Sequence, residues 1–195
     1  MWINRIGWIG RAILATEILT LTILSPEFDI KSDLNEISLL AACREEENDH
    51  FRNFLEARDP LMIDNIVFAL QEAVTQQIDC KKCGNCCKSL MIVVTEEELQ
   101  KVAAKTNTPS DEFKSSFLAE GLSGKLIMNA MPCHFLSDNQ CTIYTDRFAG
   151  CREFPALHLP GFTNRFFTVQ MHYDRCPIIF NVVELLKKEL LFFTT

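Results

Sequence analysis

Cys80-Lys81-Lys82-Cys83-Gly84-Asn85-Cys86-Cys87 places four cysteines within eight residues. A C-x-x-C turn lets two thiolates reach one metal while backbone amides face the sulfurs. Gly84, just past the second cysteine, supplies the positive φ that such a turn needs. A single C-x-x-C is weak evidence. Overlapping spacings, a Cys-Cys doublet and four more cysteines downstream make a strong signal. Cys80, Cys83, Cys86, Cys87, Cys133, Cys141, Cys151 and Cys176 are therefore the candidate metal ligands, enough for two four-cysteine sites. Neighbouring side chains diverge, so Cys86 and Cys87 are expected to serve different metals or different atoms of one polynuclear cluster. Ferredoxin-like spacing groups Cys80, Cys83, Cys86 and Cys176 around one centre, leaving Cys87, Cys133, Cys141 and Cys151 for the other.

The metal is open between two readings. Zinc would use two tetrahedral sites, and the C-x-x-C-G turn suits it. An iron–sulfur cluster would use the C-x2-C-x2-C spacing with the remote Cys176-Pro177, and iron is slightly favoured. A redox thiol pair, Cys80/Cys83, is a third reading that leaves six cysteines unexplained. Charge agrees with metal. Lys81, Lys82, Lys88, Arg147, Arg152 and Arg175 all lie beside cysteines, and nearby cations lower thiol pKa and offset the charge of a thiolate site.

The whole chain, 195 residues with 48% hydrophobic and 23% charged residues, suits one globular domain with an appended N-terminal segment. A net charge of −7 excludes a broad nucleic-acid footprint. Nine cysteines mean either a disulfide framework in an oxidising compartment or metal chemistry in a reducing one. Compartment decides between them. Arg5 and Arg11 precede an apolar run, but Glu17 interrupts it and no A-x-A-like cleavage site follows. A secretory signal or a membrane span fits poorly, and the cytoplasm is expected.

Residues 1–32 read as an N-terminal extension, either a packed helix or a stretch upstream of the native start. Residues 33–77 read as helical and 78–195 as the cysteine-cluster metal-binding domain. One polar helix is expected over 33–57, carrying the isolated Cys43 as a structural thiol. Asp59 caps a second with Pro60 in its first turn, ending near Ile78. Leu90–Val94 is a strand candidate. Thr95 opens a capping box with Glu98 and a helix to Ala104, and Thr108-Pro109-Ser110 opens another to about Ala119. Gly121 and Gly124 mark a loop. Cys133–Tyr144 reads as a hairpin around Ser137-Asp138-Asn139-Gln140. Phe166–Met171 is a further strand candidate and Pro177–Leu191 a final helix. The fold class is α+β and mainly helical, a small cysteine-rich core with short strands and surrounding helices.

CKKCGNCC at 80–87, PCHFL at 132–136, CTIY at 141–144 and CREFP at 151–155, in this order, resemble the YkgJ-type cysteine-cluster family, described as a zinc- or iron-chelating domain. The resemblance covers about residues 78–180. It implies chelation through Cys80, Cys83, Cys86, Cys87, Cys133, Cys141 and Cys151, with Cys176 as an addition. Phe148 stands where the family is expected to carry proline, which affects the turn before Cys151 and no ligand.

His134, beside Cys133, is a candidate substitute or supporting ligand; His50, His158 and His172 read as surface or core residues. Glu153 and Tyr144 lie near ligands, but nothing pairs them to a base or nucleophile, so no catalytic residue is assigned. Phosphate-binding loops and nucleophile elbows are absent from the sequence. Three classes remain: a metal-chelating or iron–sulfur protein, a metalloenzyme with redox or group-transfer activity, and a structural metal module for a protein partner. The first is preferred.

Overall fold

The computed structural model describes residues 29–193, so expectations for residues 1–28 lie outside it. Helix signals in the sequence translate directly. Asp33 caps α1 (Leu34–Cys43) by accepting from the Glu36 amide at 2.8 Å. Asp59 caps α3 (Pro60–Thr75) by accepting from the Leu61 amide, with Pro60 in the first turn. The single helix expected over 33–57 is instead two, α1 and α2 (Glu45–Glu56). They part at Arg44, whose backbone leaves helical geometry and whose guanidinium reaches Glu184 at 2.6 Å. The break lets Ile37 and Ala41 on one side, and Phe51 and Leu55 on the other, face the same core.

After α3 come two single-turn helices at the cysteine motif, α4 (Cys80–Cys83) and α5 (Cys86–Ser89). Strand β1 is only Val93–Val94. Thr95 and Glu98 form the expected reciprocal capping box on α6 (Glu96–Lys105). Helix α7 (Ser110–Phe117) gives way to β2 (Leu118–Glu120), where helix was expected to continue. Strand β3 (Leu126–Met128) pairs antiparallel with β2 and β1, in the order β1-β3-β2, with Ala119 and Val93 both opposite Ile127. Gly121 and Gly124 lie in the β2–β3 connection as expected. Strands β4 (Leu136–Ser137) and β5 (Gln140–Cys141) form the predicted hairpin. A 3-10 turn (Tyr144–Asp146) and α8 (Ala149–Glu153) follow.

The strand expected at Phe166–Met171 is a helix, α9 (Phe162–Gln170). Its aromatic and β-branched residues favour strands, but Phe162, Phe166 and Val169 recur at helical spacing and are all buried. Buried Asp64 accepts from the Gly161 and Phe162 amides at 2.7 and 2.8 Å, satisfying the helix's first donors. Tertiary burial and this remote cap override local propensity. The final helix, α10 (Pro177–Glu189), packs on α3 and is buried along most of its length.

Two hydrophobic cores result. The first joins α1, α2, α3, α9 and α10, and reaches Ile78, Leu157 and Cys176. The second lies under α6, α7 and the three-stranded sheet, with Phe113, Phe135 and Phe148 at its centre and Cys133, Cys141 and Cys151 packed against it. Each fully buried large side chain contributes roughly 1.5–3 kcal/mol by leaving water. The fold is α+β and mainly helical. Among the described residues no helix is long and apolar enough to cross a membrane.

Candidate metal centre

Local hydrogen bonding shapes the first cysteine turn. Asp79 accepts from the Lys81 amide at 3.0 Å, and the Gly84 amide closes the turn onto the Cys80 carbonyl at 3.3 Å. Gly84 has φ +59°, and a Cβ there would lie 2.7 Å from the Asn139 carbonyl oxygen. Glycine is required twice, by conformation and by the close approach.

Four bonds join this motif to the distant cysteine segments. Asn139 donates its side-chain amide to the carbonyls of Lys82 and of Cys83, the latter at 3.1 Å. It does so from the tip of the β4–β5 hairpin, where Asp138 (φ +48°) and Asn139 (φ +63°) make the two-residue turn. Cys141 sits two residues on. Asn85 donates to the Arg175 carbonyl at 2.7 Å, beside Cys176. The Cys133 amide donates to the Cys87 carbonyl at 2.8 Å. The sequence reading did not single out Asn85 or Asn139. Asn139 carried a signal as the hairpin tip, Asn85 only its place inside the motif.

The result is one cavity of about 440 Å³ at the seam of the two cores. All eight candidate cysteines line it, with Ile78, Ile143, Phe148 and Ile178 among the apolar wall residues. Cys43 is exposed and does not line it. All nine cysteines are free thiols. Among the described residues, no three His, Cys, Asp or Glu side chains stand in a preformed ligating group. The thiols line a shared space.

Burial dominates their electrostatics. It pushes the thiol pKa up at Cys80, Cys133 and Cys141, and up to about 12 at Cys151 and Cys176. The doublet differs. A hydrogen bond from Cys86 lowers Cys87 to about 6, and the same bond holds the proton on Cys86 and raises it. Charge on neighbouring thiols is the next influence. Cys176 senses Cys80 and Cys83, whereas Cys133, Cys141 and Cys151 sense Cys87. Cys86 senses members of both groups, Cys151 and Cys176. Cys86 and Cys87 are adjacent in sequence, so the two expected sets meet at the doublet.

A family model described as "CxxCxxCC: Putative zinc- or iron-chelating domain" matches residues 79–177. The chain belongs to this family. No match was found among curated proteins or among solved structures. The family match spans all eight cavity cysteines and supports binding of zinc or iron. Phe148, expected as proline, has φ −56°, within the range proline imposes. Its side chain is buried in the second core, 6.2 Å ring to ring from Phe135. The backbone is proline-like while the side chain fills space.

His134 does not line the cavity. It is exposed, bonds Asn129 Oδ1 at 2.7 Å and packs edge-on against Phe117. His158 and Glu153 line it as exposed residues, and Tyr144 lines it half-buried.

Proposed function

We propose that this protein binds metal through Cys80, Cys83, Cys86, Cys87, Cys133, Cys141, Cys151 and Cys176, as one polynuclear iron–sulfur centre or two adjoining centres. The observation that carries the reading is that eight thiols from segments far apart in sequence line a single cavity. Cys80, Cys83, Cys86 and Cys176 form one set and Cys87, Cys133, Cys141 and Cys151 the other. Their meeting at the Cys86–Cys87 doublet favours thiols serving neighbouring atoms of one assembly. The donor set fits. Soft thiolates in a partly apolar cavity suit zinc and iron–sulfur centres, and hard oxygen-seeking cations poorly. Iron is favoured by the C-x2-C-x2-C spacing with Cys176-Pro177; zinc is the second reading, favoured by the glycine-terminated turn at Gly84.

Metal would draw the sulfurs inward and couple binding to the folding of the surrounding segments. A role in metal storage, sensing or electron transfer in a reducing compartment follows, with a metalloenzyme or a metal-stapled docking module as the other functional classes. Anaerobic purification, elemental analysis with acid-labile sulfide, and a visible spectrum test the reading. Iron with sulfide and a broad visible absorption is expected. Zinc without sulfide would replace iron in the same ligands. Neither metal, with stability unaltered by strong chelator, would sink the proposal.

A further inference from the structure

Among the described residues four cations line the cavity, Lys81, Arg147, Arg152 and Arg175, and Arg147 is unlike the other three. Arg175 pairs with Asp174 at 2.9 Å and Arg152 approaches Glu98 at 4.0 Å. Lys81 is exposed to water. Arg147 is half-buried and pairs with no carboxylate among the described residues. Its Nε is buried with no hydrogen-bond partner there. A buried donor on a permanent cation is costly to leave unsatisfied. The side chain is nevertheless held in place. Its guanidinium carbon lies 3.9 Å from the centroid of the Tyr144 ring, and the Arg147 carbonyl accepts from Arg152 Nη1.

Position explains why such a group would be kept. Arg147 stands between Cys141 and Cys151 in sequence and lines the cavity that both cysteine sets share. Among the described cations of that cavity it is the one with a buried, unpartnered N–H and no carboxylate partner. A metal held by four thiolates leaves a site with net negative charge, and two such sets compound it in a space walled partly by hydrocarbon.

We propose that Arg147 is the shared counter-charge of the loaded centre, a positioning residue whose unsatisfied N–H and charge are completed by the metal thiolates. The inference rests on the metal-binding reading above. Tyr144 serves it by fixing the guanidinium plane, with Lys81 at 4.7 Å from the same ring.

The test uses the full chain with zinc as probe, in competition with a chromophoric chelator, on wild type, Arg147→Met and Arg147→Lys. Loss of the charge should weaken zinc roughly 10–100-fold, the range for groups that support metal ligands, with unchanged zinc per chain. Lysine should restore most of the affinity, because charge is the larger part of the role. The melting temperature of the metal-free protein should be the same in all three. Arg147→Gln substitutes if the methionine variant does not fold. Unchanged affinity in the uncharged variants would overturn the proposal. So would a loss that lysine fails to rescue together with a lower metal-free melting temperature, which marks a structural role. Wild type that binds no zinc or iron would remove the underlying reading, a result separate from either.

Discussion

The two cores of this protein differ in what they need. Among the described residues, the one beneath α3 and α10 gathers twenty-three that are buried, with Phe51, Phe162, Phe166 and Phe180 interlocked among aliphatic side chains. The one beneath α6 and α7 gathers ten, and three of the groups packed on it are cysteines. The larger core also has a buried polar network: Lys187 bonds Glu47 and Glu184 at 2.7 and 2.9 Å, and Glu184 further accepts from Tyr173 and Arg44. A core of that size stands by hydrophobic burial. A small one usually needs a staple, by disulfide or metal. In the cysteine half the free thiols occupy the place of that staple, so bound metal would contribute more to the fold there than in the bundle.

Core truncations test that division most strongly. Phe113→Ala, in the smaller core, should cost the metal-free protein about 3–5 kcal/mol, and Leu70→Ala, in the larger, about 2–5 kcal/mol. Metal at a hundredfold excess over its dissociation constant stabilises the folded state by about 2.7 kcal/mol. Denaturant titrations with and without zinc should show the Phe113 variant regaining cooperative unfolding on loading. The Leu70 variant should keep its metal content and gain no more than wild type. Equal rescue of both would erase the distinction between the halves.

Asn139→Gly sharpens it at the seam. Glycine keeps the positive-φ turn and deletes the bond to the Cys83 carbonyl, at a cost of about 1–2 kcal/mol. Faster metal release to chelator, with the hairpin intact by NMR, is the expected outcome; unchanged release would mean that Asn139 serves the turn alone.

Alkaline pH tests the metal-free state. Burial raises Cys151 and Cys176 to about 12 and raises Tyr173 as well. A raised pKa stabilises the fold fully below the ordinary thiol value near 9 and loses that contribution as pH climbs towards 12. Urea midpoints of stripped protein should therefore fall between pH 9 and 11, and less so for the metal-loaded form. The smallest effect belongs to Cys43→Ser. That exposed thiol lies outside the cavity, and metal content by elemental analysis should not change.

What could be read in advance was what chemistry dictates locally. Asp59-Pro60, the Thr95–Glu98 box, the Asp138-Asn139 turn and the positive-φ Gly84 each have a short-range cause, and each is where the residues predicted. The eight cysteines named from the sequence all line one cavity. What escaped depends on partners far along the chain. Helix α9 looked like a strand because Asp64, nearly a hundred residues earlier, supplies its cap. The break at Arg44 needs Glu184. The struts Asn85 and Asn139 act on carbonyls dozens of residues away along the chain.

The family match stops at Pro177, the first residue of α10, and Cys176 stands immediately before it. That helix is buried from Pro177 through Lys187 with few gaps. Its Asn181 clasps the backbone of Lys31 at both the amide and the carbonyl, at 2.9 and 2.7 Å. A fragment trimmed to the matched stretch would retain every cavity thiol and lose the pillar on which the last one stands. The stretch that matches the family and the stretch that packs together around the cavity are therefore of different lengths in this chain, and helices α3 and α10 support the site from outside the match.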